Sequence, residues 1–337
     1  QAFKIVGIAR AGHPFNGVID KDEAIEIYTG GVMPMGPDCV AMHEDCSRDG
    51  NKIRVLATLS KGSNMRPPGE NLAKGETLIS KGQMITAALI GQLAASGTAQ
   101  LPVSRRIRVA ILSTGDEVVA AGNSATSGQI FDANRPMLKA MLQHNHIDLI
   151  DCGIVPDNKD ALADAYEQAL QGADVVISSG GASDGIEDHT QNAMLQIGAE
   201  CVFWRLAMKP GRPMAVGRRG KELIFCLPGN PVAAFVCTRL LILPLLGRAC
   251  GGAWQPALKI GVPAGFTHPK KPGRAEFLRV VLENNDGKQQ LVLHGRKGAG
   301  VISSLTGADG LVEIPLDNAG VELGTVLNFL PFHERGL

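Results

Sequence analysis

The spacing of apolar positions changes three times along the chain. Over the first 80 residues they fall in short runs broken by Gly and Pro, at 3–8, 24–28, 39–42 and 53–59. Short runs between turn residues predict a small β-domain, 1–80. One helical pattern follows at 84–95, with Gly97 as a natural stop, so 81–104 reads as a helical linker domain. The Pro/Gln segment 100–102 marks its boundary.

From Arg105 the runs alternate in type. Strands are predicted at 107–112, 146–151, 175–178, 201–206 and 223–226. Helices are predicted at 136–143, 160–170 (capped by Asn158), 190–196 and, long and apolar, 232–246. Continuous apolar strands alternating with helices mean a doubly wound α/β domain, 105–250, whose parallel sheet is covered on both faces. Beyond it the pattern is β again, at 258–262, 276–282, 290–293, 311–314 and 326–329. This predicts a second small β-domain, 251–337. No internal repeat is visible.

Composition narrows the function classes. Lys plus Arg equal Asp plus Glu, 33 against 33, and aromatics are 4%. Neither a basic excess nor a stacking surface is present, so nucleic acid is not an expected partner. No apolar window approaches the ~18 residues of a membrane span; the longest, 240–246, is broken by Pro244. No membrane attachment is therefore expected. The seven cysteines are scattered without a Cys-x-x-Cys pair, which argues against zinc and for a reducing cytoplasm.

In open α/β sheets ligands bind beyond the carboxyl ends of strands. Three loops leave such ends. Ser113-Thr114-Gly115-Asp116-Glu117 offers two hydroxyls, an approachable backbone and two acids, or else an ordinary Gly-Asp turn. Ser178-Ser179-Gly180-Gly181-Ala182-Ser183-Asp184-Gly185 suits a phosphate cradle of backbone N–H groups, although it is no Walker A loop. Glu187, Asp188 and His189 follow, and acids beside a phosphate point to Mg²⁺. In Leu227-Pro228-Gly229-Asn230-Pro231-Val232, Asn230 reads as an N-cap and Pro231 as the first helical residue, leaving N–H groups for an anion. Between the last two lies Lys209-Pro210-Gly211-Arg212-Pro213, two cations in a stiff frame that suits a small oxyanion. Arg66-Pro67-Pro68-Gly69-Glu70 fixes another arginine. No histidine pattern supports a transition-metal site, and no Ser/His/Asp set stands out.

Taken in order, these segments resemble the molybdopterin molybdenumtransferase family (MoeA and the gephyrin E domain). The resemblance also takes in Tyr28-Thr29-Gly30-Gly31-Val32-Met33-Pro34, Asp132-Ala133-Asn134 and Pro272-Gly273-Arg274. It implies that the α/β domain is a MogA-like molybdopterin-binding domain, and that the chain acts as a homodimer. Each site would lie between the α/β domain of one subunit and the first β-domain of the other. The implied reaction is insertion of molybdenum from molybdate into adenylylated molybdopterin, with Mg²⁺ present and AMP released.

On that resemblance, Glu117, Asp188, Lys209 and Arg212 are catalytic, with Glu117 and Asp188 on Mg²⁺. Thr29, Arg66, Ser113, Thr114, Gly115, Ser179, Gly180, Gly181, Ser183, Pro228, Gly229, Asn230 and Pro231 bind substrate. Thr29, Arg66, Lys209 and Arg212 form the oxyanion pocket, which Ser303 or Ser304 reaches from the last domain. Other cofactor-biosynthesis proteins are possible partners, and tungstate is not distinguished from molybdate.

The sequence departs from the family's pattern in three places. The family's Asp-x-Ser-Ala-Met-Asp-Gly-Tyr-Ala segment, with a catalytic aspartate, would end just before Gln1. Asn71 stands where the family usually has Asp, and Ile186 where an acid is frequent. Those two changes keep open a non-catalytic dimeric scaffold that binds molybdopterin. An adenylyltransferase acting on molybdopterin is a third reading, disfavoured by the two extra β-domains.

Overall fold

The computed structural model describes residues 2–144, 146–181, 189–254, 256–296 and 298–332. The chain divides into two compact units, Gln1–Ser80 and Lys81–Leu337. In the first, β1 (Ala2–Ala9), β2 (Glu23–Ile27), β3 (Cys46–Asp49) and β4 (Lys52–Val55) form a sheet in the order β2-β1-β4-β3. The apolar run at 39–42 is not a strand. Its place is taken by the polar β3, which pairs antiparallel with β4 through the tight turn Gly50-Asn51, where Gly50 adopts φ +58°.

The second unit opens with α1 (Ala87–Ala95). Thr86 caps it, its hydroxyl accepting from Leu89 N at 3.3 Å. After β5 (Ile107–Thr114) come a small ribbon of β6 (Val118–Val119) and β7 (Ile130–Phe131), α2 (Asn134–Leu142) and β8 (Ile147–Val155). The chain continues through α3 (Lys159–Gly172), β9 (Val175–Ser179), α4 (His189–Gln196) and β10 (Glu200–Trp204). Asn158 caps α3 as its sequence indicates, accepting from Ala161 N at 2.8 Å. Short β11 (Met208–Lys209) precedes the hairpin β12 (Ala215–Arg219) and β13 (Glu222–Leu227).

The main sheet runs β10-β12-β13-β9-β5-β8. Its β13, β9, β5 and β8 are parallel, as the apolar runs predict, and the predicted β10 runs in the same direction but joins through β12, an antiparallel strand that the runs do not predict. Val109, Ile111, Val175 and Ile177 pack on one face with α2 and the helix after β13. Ala110, Leu112 and Val176 pack on the other with α3 and α4. Both faces are therefore buried and the domain is doubly wound.

The helix after β13 comprises α5 (Pro231–Cys237), a π turn Thr238–Ile242 and α6 (Leu243–Ala249). Contrary to the hydropathy reading, Pro231–Ala249 is long and apolar enough to cross a membrane, by length and composition. Val232, Ala234, Val236, Ile242 and Leu246 are buried in the α/β core, which makes it a core helix here.

The remaining strands are β14 (Ile260–Pro263), β15 (His268–Pro269), β16 (Ala275–Asn285), β17 (Lys288–Leu293), β18 (Gly310–Ile314), β19 (Gly320–Val321) and β20 (Val326–Pro331). They form the order β11-β16-β18-β20-β14, with β17 also on β16 and β15 paired with β19. Thus β11, sent out from the α/β domain, becomes an edge strand of the last sheet. Phe277, Leu311, Leu330 and Phe332 share one core with Met208, Met214 and the long helix. Continuous packing makes that junction a rigid place for a site.

Candidate active site

Strands β5, β9 and β13 end side by side, with Ser113 opposite Ser179 and Ser179 opposite Leu227. Their loops are knitted together. Gly180 N donates to Leu227 O at 3.2 Å. Gly180 takes φ +104°, and a Cβ there would overlap the Thr114 carbonyl oxygen, so only glycine lets the second loop close on the first. Asn134 Nδ2 donates to Ser179 Oγ at 2.6 Å and to Gly229 O at 2.8 Å, while its Oδ1 is buried without a partner. The structure thus brings Ser113, Thr114, Gly115, Ser179, Gly180, Gly181, Pro228, Gly229 and Asn230 to one end of the sheet.

The hydroxyls at these strand ends are engaged within the protein. Ser113 and Ser179 are each 2% exposed. Ser113 Oγ donates to Asp132 Oδ1 at 3.0 Å, Ser179 Oγ is taken by Asn134, and Thr114 Oγ1 donates to Pro156 O at 3.5 Å. Asp132 is held in turn by Arg135, whose guanidinium also grips Asp151. These groups brace the loops. Ser183 and Asp188, with Asp184, Ile186 and Glu187, lie outside the described residues.

An acidic residue that the motifs pass over stands beside them. Asp157, just past β8, donates its backbone N–H to Asp116 Oδ1 at 3.1 Å, and its own Oδ1 is buried without a partner. Burial raises its carboxyl above the usual range; nearby Asp116 and Glu117 push the same way, and His189 opposes them. Gly115, at φ +147°, leaves room for Glu117: a Cβ there would lie 2.6 Å from Glu117 Oε2. Among the described residues no group of three or more His, Cys, Asp or Glu is placed to hold a metal. In the sequence, Val155-Pro156-Asp157-Asn158 marks a strand end, and that position was the available signal for Asp157.

The cations converge elsewhere. A pocket of about 340 Å³ opens between the α/β domain and the last sheet, lined by Lys209, Arg212, Arg274, Arg279 and Arg296 and, from the third loop, Pro228 and Asn230. Gly211, at φ +106°, brings the Lys209–Pro213 segment against the long helix, since a Cβ there would meet Cys237 Sγ at 2.5 Å. Lys209 sits opposite Glu276 on the parallel pair β11 and β16, and its Nζ donates to Glu276 Oε1 at 3.2 Å. Burial raises the Glu276 carboxyl, but hydrogen bonds from His268 and Lys209 outweigh it and hold it below the usual range.

Arg279 is buried, which lowers its affinity for the proton. Its Nε donates to Ser304 Oγ at 3.0 Å and its Nη2 to Arg296 O at 3.3 Å. Ser304 is therefore a support for Arg279 and does not reach in as expected; Ser303 is exposed.

Asn230 occupies the N-cap position and Pro231 begins the helix, yet the Asn230 side chain makes no cap bond. Val232 N donates instead to Ala299 O at 3.0 Å, so that amide is not left for an anion. Thr29 and Arg66 lie in the first unit, both exposed, with Arg66 Nε paired to Glu70 Oε2 at 3.0 Å.

Three family models match in sequence along the chain. They are the MoeA N-terminal region (domain I and II) over 1–97, the "Probable molybdopterin binding domain" over 110–248, and the MoeA C-terminal region (domain IV) over 262–332. A molybdopterin molybdenumtransferase from Haemophilus influenzae is 32% identical over 98% of this chain and 82% of its own length. The chain belongs to the molybdopterin molybdenumtransferase family. Molybdopterin molybdenumtransferase 2 of Mycobacterium tuberculosis is 32% identical over 90% of this chain and 76% of its own. A solved molybdopterin biosynthesis MoeA protein from Pyrococcus horikoshii superposes with TM-score 0.82 at 26% identity, covering 98% of this chain and 81% of its own. As a member of this transferase family, the chain has a role in molybdenum cofactor biosynthesis.

Proposed function

We propose that this chain transfers molybdenum from molybdate to the dithiolene of adenylylated molybdopterin, with release of AMP. One observation supports the reading above the rest. Pro228 and Asn230 line the cationic pocket, while their loop is tied through Gly229 and Asn134 to Ser179. A loop suited to a pterin phosphate thus forms one wall of a pocket suited to a tetrahedral dianion. Binding both reactants against one wall would supply the proximity on which such a transfer depends.

In this reading the backbone at Gly180, Gly181 and Gly229 cradles the phosphate. Lys209 and Arg212, joined by Arg274, hold the oxyanion and offset its charge. Thr29 and Arg66 would come from the first β-domain of a second copy, making the active form a homodimer. Asp157 Oδ1, buried and unpartnered beside Asp116 and Glu117, suits Mg²⁺, which takes few carboxylates and leaves other positions to phosphate oxygens and water. Glu117 and Asp157, with Asp188, would hold the ion, which would neutralise phosphate charge. None of the seven cysteines forms a disulfide, which supports a reducing, cytoplasmic setting.

The direct test supplies purified protein with adenylylated molybdopterin, Mg²⁺ and molybdate. AMP should be released in step with molybdenum transfer. No AMP release with molybdate or with tungstate would overturn the proposal.

A further inference from the structure

We propose that Glu276 is a positioning and affinity-setting residue of the oxyanion pocket: it holds Lys209 at the rim and lowers the pocket's affinity for dianions such as sulfate and molybdate. The inference rests on reading this pocket as the oxyanion site. Among the described residues lining it, Glu276 is the one carboxylate facing five Lys and Arg side chains. Its carboxylate is divided between two partners, Oε1 accepting from Lys209 Nζ at 3.2 Å and Oε2 lying 2.9 Å from His268 Nε2.

His268 is 8% exposed, and its Nδ1 is buried without a partner. An orphaned ring nitrogen is costly, and natural proteins keep such groups where another requirement outweighs the cost. Here the ring's other nitrogen fixes Glu276. Lys209, by contrast, has a side chain 56% exposed on a flexible stem, with three donors that could point anywhere. The buried carboxylate gives that ammonium a defined place at the rim of the pocket.

Charge supplies the second half of the argument. Several cations without a counter-charge would retain any abundant tetrahedral dianion. One fixed carboxylate in the pocket lining opposes all of them and lowers the affinity for every dianion alike. Removing that unit charge is worth at least about tenfold in the affinity for a dianion. The competing explanation is that the Lys209–Glu276 pair only ties β11 to β16. In that case its loss would loosen the junction and leave the pocket's sulfate affinity unchanged.

The test is calorimetric titration of the full chain with sodium sulfate and, separately, with sodium molybdate. E276Q keeps the side-chain length and an oxygen for His268. It should bind sulfate at least about tenfold more tightly than the wild type, and molybdate more tightly by a similar factor. Wild-type binding of molybdate together with unchanged or weaker sulfate binding by E276Q would overturn this proposal alone. A wild type that binds neither anion would remove the pocket reading and this proposal with it. Should E276Q fail to fold, Lys209→Met decides. An ammonium aimed into the pocket means about tenfold weaker sulfate binding, whereas a mere strand tie leaves sulfate affinity unchanged and overturns the proposal.

Discussion

The two anion-directed regions of the second unit are built on opposite principles. At the strand ends, the polar side chains satisfy one another: Ser113 with Asp132, Asp132 with Arg135, Asn134 with Ser179 and Gly229. At the domain junction, cations are gathered around space, with one carboxylate among them. The first arrangement is rigid, and its contribution to binding is the shape it imposes on backbone loops. The second concentrates positive charge around a cavity. A serine in a loop and an arginine in a loop look equally available in a sequence, yet here the serines are tied into the fold and the arginines line an open pocket.

Substitutions can separate the two regions. The largest effect should come from Asp132→Ala. Its side chain is 2% exposed, and its loss leaves Ser113 Oγ and Arg135 Nε without their acceptor while Arg135 keeps Asp151. Losing two hydrogen bonds to a buried carboxylate costs about 3 kcal/mol. Urea unfolding should show that loss, while the folded fraction keeps near-wild-type sulfate affinity. Arg212→Ala should do the reverse. Turnover with molybdate should fall by roughly a hundredfold, as for loss of one preorganised charge at a reacting group, with unfolding little changed. If Arg212→Ala destabilised the fold as much as Asp132→Ala, the contrast between the regions would be lost.

Asn134→Ala should have an intermediate effect on both readouts. Two donors leave buried acceptors, at a cost of about 1–3 kcal/mol, and loosening the Gly229 loop should weaken binding of the pterin substrate about tenfold. The smallest effect is expected from Asp157→Asn, and its sign is the informative part. The folded-state carboxyl is raised by burial, so its contribution to stability is present below the unfolded value and lost as pH rises through the folded one. At neutral pH the ionised group therefore destabilises the metal-free protein. Asp157→Asn should raise the metal-free Tm by a few degrees and abolish any further rise on adding Mg²⁺. A lowered Tm in Asp157→Asn would refute this account of the acids.

Much of the fold is legible in the sequence where burial is two-sided. Val109 to Leu112 and Val175 to Ile177 are buried by helices on both faces, so their strands are continuous apolar runs that can be read directly. Strand β12, Ala215–Arg219, is short and ends in two arginines, and it is held as a strand by pairing with β13 on one side and β10 on the other. In the first sheet β3 is polar and is made by a hairpin turn, whereas the apolar run at 39–42 remains irregular. The site divides in the same way. Lys209 and Arg212 are visible because Pro and Gly frame them. Asp157, Glu276 and Arg279 gain their meaning from partners on other elements, such as the register of Lys209 against Glu276, and no local spacing announces that.

The central claim is that the junction pocket takes the oxyanion beside the strand-end loops. Crystals soaked in molybdate and recorded at the molybdenum absorption edge test it most directly. The account predicts one strong anomalous peak in the pocket, within hydrogen-bonding reach of Lys209 and Arg212 and adjacent to Asn230. A peak at another site, with that pocket empty at saturating molybdate, would contradict it.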